Sequence, residues 1–276
     1  MSEQRPQESD AGPREQTGPD QPSAELNSGT RMPLFGLGTW QATGSQAYEA
    51  TLRALQLGYR HIDTATMYRN EARVGRAIAD SGIAREDIFL TTKLPPDRAG
   101  DEAATLAGSL SALGTDHLDL WLIHWPPLDG VGVSTWRAFV EAQQSGSVAA
   151  IGVSNYGVDQ IDTLTDATGV TPAVNQVRWS PYLYDAAVAA AHVERGVVLE
   201  GYSPLKGGVL SDAVVTRLAK SYGRTPAQVV LRWHLDHGFV AIPKSADPSR
   251  LAENLDVFDW SLEQDALGEL DELAGR

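Results

Sequence analysis

The sequence predicts an α/β protein: a (β/α)8 TIM barrel forming a single domain behind a disordered N-terminal tail. Three observations lead there. Eight short runs rich in Val, Ile, Leu and aromatic residues recur at 32–38, 61–65, 88–94, 118–125, 149–155, 173–179, 196–203 and 239–245. Most are continuously apolar, as strands of a parallel sheet buried on both faces should be. Segments with helical spacing separate them, and eight such units in about 250 residues suit a closed barrel better than an open doubly wound sheet, which would leave edges to protect.

The elements follow in order. The opening "MSEQRPQESDAGPREQTGPDQPSAE" is rich in Pro, Gly, Gln and Glu, so residues 1–24 are expected to be a disordered tail and 25–276 the barrel. No apolar leader or membrane span precedes the barrel, which makes the cytoplasm the expected location. "SQAYEATLRALQLG" reads as the helix after the first strand, "NEARVGRAIADSG" as the helix after the second, and "STWRAFVEAQQSG" as the helix after the fourth. "TPAQVVLRWHLDHG" leads into the eighth strand, and several of these helices end in a Gly suited to a C-terminal cap.

Composition narrows the function. Lys and Arg total 22 against 36 Asp and Glu, a net charge of −14 with a pI of about 4.8. Such a surface repels a phosphate backbone, so nucleic acid is not an expected partner. The chain has no Cys, which removes disulfides, thiolate metal sites and thiol nucleophiles. His234 and His237 fall on a helix away from the strand ends and no H-E-x-x-H occurs, so no metal is expected.

A barrel keeps its chemistry on the rim formed by the C-terminal ends of its strands. The second strand ends in Asp63, with Tyr68 just beyond; the third ends in Lys93 and the fourth in His124. Ser154 and Asn155 end the fifth, Asn175 and Gln176 lie on the sixth, Tyr202 and Ser203 end the seventh, and Lys244 and Ser245 end the eighth. Any one of these could cap a helix, face water or fill a core; together, at equivalent positions, they make a site. A free phenol, with a pKa of about 10, is a weak acid near neutrality. Lys93 beside Tyr68 would make it stronger, Asp63 would hold Lys93 charged, and His124 would orient a carbonyl oxygen receiving the proton.

Protonating a carbonyl requires a hydride from elsewhere, which points to a nicotinamide cofactor. "GLGTWQ" at 36–41 lacks the third glycine of a dinucleotide fingerprint, so a Rossmann site is not indicated. Tyr202 offers a stacking face, and Ser154, Asn155 and Gln176 offer groups for a carboxamide. "IPKSADPSRLAENLDVFDW" places Lys244, Ser245 and Arg250 around the start of a helix, where positive side chains and free N–H groups favour a phosphate.

With "MPLFGLGTW", "HIDTATMYRNEARVGRAI", "TTKL", "LIHWP", "IGVSN", "YSPL", "TPAQVVLRW" and "IPKSADPSRLAENLDVFD" in this order, the chain from about Leu26 to Arg276 resembles the aldo-keto reductases, and among them small prokaryotic members similar to diketogluconate and methylglyoxal reductases. The resemblance implies a monomeric barrel that reduces small aldehydes and ketones with NADPH, through a tetrad of Asp63, Tyr68, Lys93 and His124. It also implies that Ser154, Asn155, Gln176 and Tyr202 hold the nicotinamide, that Ser203 and Leu205 lie along the pyrophosphate, and that Glu253 and Asn254 meet the adenine. Lys244, Ser245 and Arg250 would take the 2′-phosphate, and Trp40, His124 and Trp125 would bound the substrate. In the family a Glu at the histidine position marks steroid double-bond reduction, so His124 favours carbonyl reduction.

Three departures stand out. The chain stops at "LDELAGR" where relatives often continue over the active site, so the pocket is expected to be open on that side. Arg178 and Ser180 replace a common Glu and His, a change expected to alter charge below the rim. Lys206 follows "SPL", where it could bind phosphate or face water.

Overall fold

The computed structural model describes residues 21–127 and 130–275. Among the described residues ten strands occur in chain order: β1 Ser23–Glu25, β2 Arg31–Pro33, β3 Leu37–Gly38, β4 His61–Asp63, β5 Phe89–Leu94, β6 Leu118–Ile123, β7 Val148–Ser154, β8 Val174–Arg178, β9 Val198–Tyr202 and β10 Val240–Ile242. Strands β3 to β10 form one all-parallel sheet in sequential order. The sheet closes on itself: Gly36 N donates to Ala241 O at 3.0 Å, Ala241 N to Leu34 O at 2.9 Å and Gly38 N to Pro243 O at 3.2 Å. The (β/α)8 expectation is met.

The first apolar run is not one strand. Residues Arg31–Pro33 pair antiparallel with Ser23–Glu25 in a hairpin, and the barrel takes only the later part of the run, residues 34–36 bonding to β10 and Leu37–Gly38 pairing with β4. The pairing starts inside the stretch assigned to the tail; the rest of that stretch, 1–20, lies outside the described residues. Leu26 and Met32 bury their side chains in the core. Asn27 Nδ2 donates to the Thr171 and Pro172 carbonyls ahead of β8, and Gln21 Nε2 to the Gly58 carbonyl ahead of β4. The hairpin therefore covers the end of the barrel opposite the rim.

Helices α1 Ser45–Leu57, α2 Glu71–Asp80, α3 Glu102–Leu113, α4 Val133–Gln144, α5 Val158–Thr168 and α6 Ala186–Glu194 each return the chain to the next strand. The seventh crossover carries two, α7 Ala213–Tyr222 and α8 Pro226–Asp236; α9 Pro248–Leu255 and α10 Gln264–Asp271 follow β10. Their ends are encoded locally. Thr225 caps α8 through Gln228 N with Pro226 at the first position, and Asp212 caps α7 through Val214 N. Between the barrel and α4, Trp121 stacks on Phe139 with centroids 3.7 Å apart.

The seam between the first and last barrel strands admits no side chain at Gly38, where a Cβ would lie 2.7 Å from the Ile242 carbonyl oxygen. Gly38→Ala should therefore cost about 2 kcal/mol. Gly108→Ala, with open space around an exposed position in α3, should add up to about 1 kcal/mol. Urea denaturation of both variants checks the contrast, and equal effects would contradict the seam geometry.

Candidate active site

The register of β4, β5 and β8 brings three polar side chains together inside the barrel. Lys93 Nζ lies 2.7 and 2.6 Å from the two Asp63 carboxylate oxygens and 2.8 Å from the Thr64 carbonyl oxygen. Gln176 Nε2 donates to Asp63 Oδ2 at 2.8 Å. Lys93 is fully buried. Burial alone would discharge it, but Asp63 and Tyr68 outweigh that and hold its pKa above the ordinary lysine value.

Tyr68 ends the short helical turn Thr66–Tyr68 that follows β4. Thr66 Oγ1 ties this turn to β5 by donating to the Lys93 carbonyl at 2.9 Å. The Lys93 ammonium lies 5.3 Å from the Tyr68 ring centroid, and the His124 ring meets that ring edge-on at 5.7 Å between centroids. The four residues expected to act together are contiguous. Tyr68 differs in one respect from the sequence expectation of an acidified phenol: burial raises its pKa more than the Lys93 charge lowers it, so the net direction is upward. The phenol accordingly keeps its proton at neutral pH, as a donor must. Burial, then Lys93, pushes His124 down to about 3, leaving a neutral imidazole that can donate a hydrogen bond from one nitrogen.

A cleft of about 1170 Å3 opens above this floor. Asp63, Tyr68, His124, Ser154, Asn155, Gln176, Tyr202, Ser203, Leu205, Lys244, Ser245 and Arg250 all line it, as do Trp40 and Trp125, each 44 % exposed. Lys93 does not; it lies beneath, reaching the cleft through Asp63 and Tyr68. Asn155 holds a left-handed backbone, φ 62°, and donates from Nδ2 to Ser154 Oγ at 2.9 Å and to the His124 carbonyl at 3.3 Å. Tyr202 is fixed by donating its hydroxyl to Asn155 Oδ1 at 3.0 Å, so one ring is held steady on the cleft wall.

Glu253 and Asn254 are not brought to this wall. Glu253 Oε1 accepts from Thr225 Oγ1 at 2.8 Å, and Asn254 is buried. The helix start after β10 also differs from expectation, because its free N–H groups are already taken: Asp247 accepts from Ser249 N at 2.9 Å and Arg250 N at 3.2 Å. An anion there would rest on side chains. Arg178, expected below the rim, is exposed and lines the cleft. Lys206 lines it too, with its ammonium 4.2 Å from the Trp40 ring centroid. Arg178, Lys206, Lys244 and Arg250 thus share one cleft, and none forms an ion pair among the described residues.

Sequence reasoning passed over Glu200. Its side chain is fully buried beneath the floor, and Gln176 Nε2 donates to its Oε2 at 2.9 Å. An ionisable residue inside the apolar run "VVLEGY" was the available signal.

A closed parallel barrel thus carries a buried carboxylate–ammonium pair under a phenol, at the floor of a cleft lined by cations. The aldo/keto reductase family model matches residues 34–274, and the chain belongs to that family. It is 46% identical over 245 residues to an aldo-keto reductase of Mycolicibacterium smegmatis, covering 87% of this chain and 89% of that protein. It is 43% identical over 253 residues to the methylglyoxal reductase DkgA of Escherichia coli, covering 90% and 92%. A Bombyx mori aldo-keto reductase crystallised in complex with NADP superposes with a TM-score of 0.87 at 32% identity, covering 92% of this chain and 93% of that one.

Neutral burial of His61, His124 and His234, pushed down to about 3, about 3 and about 4, makes stability depend on pH. In the unfolded chain each returns to about 6.5 and binds more protons than the folded state between that value and about pH 4. The unfolding free energy should therefore fall as pH drops through this window, by up to about 1.4 kcal/mol per histidine per unit. Urea titrations at stepwise pH check this, and a flat profile would contradict it.

Proposed function

We propose that this barrel reduces aldehydes and ketones to alcohols with NADPH, Tyr68 supplying the proton. The observation that carries this reading is the Lys93–Asp63 pair buried directly against the Tyr68 phenol at the floor of a cleft lined by unpaired cations. The cleft residues fit the cofactor: a fixed Tyr202 face for stacking, Ser154, Asn155 and Gln176 for the carboxamide, Ser203 and Leu205 beside the pyrophosphate, and Lys244, Ser245 and Arg250 for the 2′-phosphate. When bound, NADPH supplies the hydride that reaches the carbonyl carbon.

The chain's own residues manage the oxygen. Neutral His124 donates a hydrogen bond that orients the carbonyl oxygen near Tyr68. As negative charge grows on that oxygen, the phenol passes its proton to it, and the resulting phenolate is stabilised by Lys93, which Asp63 holds charged and in place. Trp40 and Trp125 wall the substrate end. The methylglyoxal reductase activity of the Escherichia coli relative and the NADP complex of the Bombyx mori protein support this direction and this cofactor.

Tyr68→Phe should still quench tryptophan fluorescence with NADPH while kcat for a glyoxal falls by about 1000-fold or more; undiminished turnover would exclude the phenol as the acid. Arg250→Ala should raise the Kd of NADPH about tenfold or more and leave that of NADH nearly unchanged. Equal weakening of both would remove the 2′-phosphate assignment. A screen of NADPH oxidation against glyoxals, aromatic aldehydes, diketones and sugar acids identifies the substrate class.

A further inference from the structure

Beneath the proton-delivering residues lies a second, enclosed layer of ionisable groups that the reaction above does not use. Glu200 and Gln176 are register partners on β9 and β8, and both are buried inside the barrel. The single amide nitrogen of Gln176 donates to Asp63 Oδ2 at 2.8 Å and to Glu200 Oε2 at 2.9 Å. The other carboxyl oxygen of Glu200 faces His61, with 3.6 Å between Oε1 and Nε2. His61 itself is buried, its Nε2 3.3 Å from Thr91 Oγ1. Room for its ring comes from Gly36, where a Cβ would lie 2.6 Å from His61 Nδ1. Two carboxyl groups, one imidazole and one ammonium therefore share a buried interior, and the only cation among the described residues there, Lys93, is already committed to Asp63.

We propose that Glu200 is a positioning residue for Asp63 and for the Gln176 amide, and that it acts as the uncharged acid. By accepting one amide hydrogen it turns the other onto Asp63. With both hydrogens engaged inward, Gln176 presents its carbonyl oxygen to the cleft, an acceptor that matches the N–H of a primary carboxamide. A leucine of similar bulk would fill the space but leave an amide hydrogen unpaired and the Gln176 side chain free to turn. This inference rests on the carbonyl-reduction reading of the same site.

Charge bookkeeping supports the neutral form. Burial, reinforced by the nearby negative charge of Asp63, pushes Glu200 up to about 8. Burial and then the Lys93 charge push His61 down to about 3, so the imidazole adds no positive charge. The titratable groups around Glu200 are thus His61 and Asp63 on β4, Lys93 on β5, and Tyr68 above them. Below about 8 Glu200 is uncharged, and above it a second negative charge appears beside Lys93. That charge offsets the effect of the ammonium on the phenol, makes Tyr68 a weaker acid, and slows reduction as pH rises.

Infrared titration of the full-length protein tests the acid form without cofactor. Wild type should show a protonated-carboxyl C=O band that disappears as pH rises through about 8, and Glu200→Gln should lack it. In NADPH-dependent reduction of a glyoxal, Glu200→Leu should lose about tenfold or more in kcat while the Kd of NADPH changes less than about threefold. Glu200→Gln, which keeps the acceptor, should recover kcat to within about threefold of wild type and lose the alkaline limb of the pH profile. Absence of the band in wild type, or a Glu200→Leu enzyme with wild-type kcat and pH profile, would overturn the proposal. Should Glu200→Leu fail to fold, the band and the Glu200→Gln profile decide it. A wild type that carries the band but oxidises no NADPH with any carbonyl would sink the activity reading and leave the buried acid standing.

Discussion

The ion pair between Lys93 and Asp63 governs the arrangement of the rim. Removing an ammonium and a carboxylate from water costs several kcal/mol each, and attraction repays that only when the remaining donors and acceptors are satisfied. Here they are: the ammonium has three acceptors, and the carboxylate has a further donor in Gln176. Each partner sits at the end of a barrel strand, so adjacent-strand register sets the separation instead of loop conformation. The turn carrying Tyr68 is then pinned to the Lys93 backbone by Thr66, which makes the phenol's place a consequence of the same strand.

Electrostatics over a longer range work in the opposite sense to the protein's net charge. A chain of net charge −14 repels an anion over most of its surface, yet four cations free of ion pairs among the described residues face one cleft. The other pairings show the contrast: Arg195 is bound to Asp162, Arg85 to Asp119 and Arg232 to Asp236. Leaving the cleft cations unmatched keeps their charge available to a ligand. Asp247 moderates this by occupying the amides at the start of α9, which leaves guanidinium and ammonium groups as the positive charge there.

Much of this could be read in the chain. Continuous apolar runs located all eight barrel strands because a strand covered on both faces has no polar phase to hide it, and the polar residues ending those runs marked the rim. The first run misled for the same reason: "MPLFGLG" has no periodicity to reveal that its halves belong to different sheets. Its hairpin partner, Ser-Ala-Glu, carries only Ala24 as an apolar residue. Helix α7 was legible in hindsight from Asp212 at its start and Gly223 at its end. So was the occupation of the α9 amides, since Asp-Pro is a common helix opening. The contact between Lys206 and Trp40 was not, because it joins loops 166 positions apart that meet only after the barrel closes. Glu200 lay in plain view as a charge within a buried strand, but its link to Asp63 passes through an amide on a third strand.

The hairpin formed by β1 and β2 bears on traffic as well as on packing. With its hydrogen bonds spanning the segments ahead of β4 and β8 and Leu26 and Met32 buried in the core, it lies across the end of the barrel opposite the cleft. Under the proposed carbonyl reduction, a hydrogen ion given up by Tyr68 would be replenished through the cleft that admits the substrate, which would tie recharging of the phenol to the emptying of that cleft.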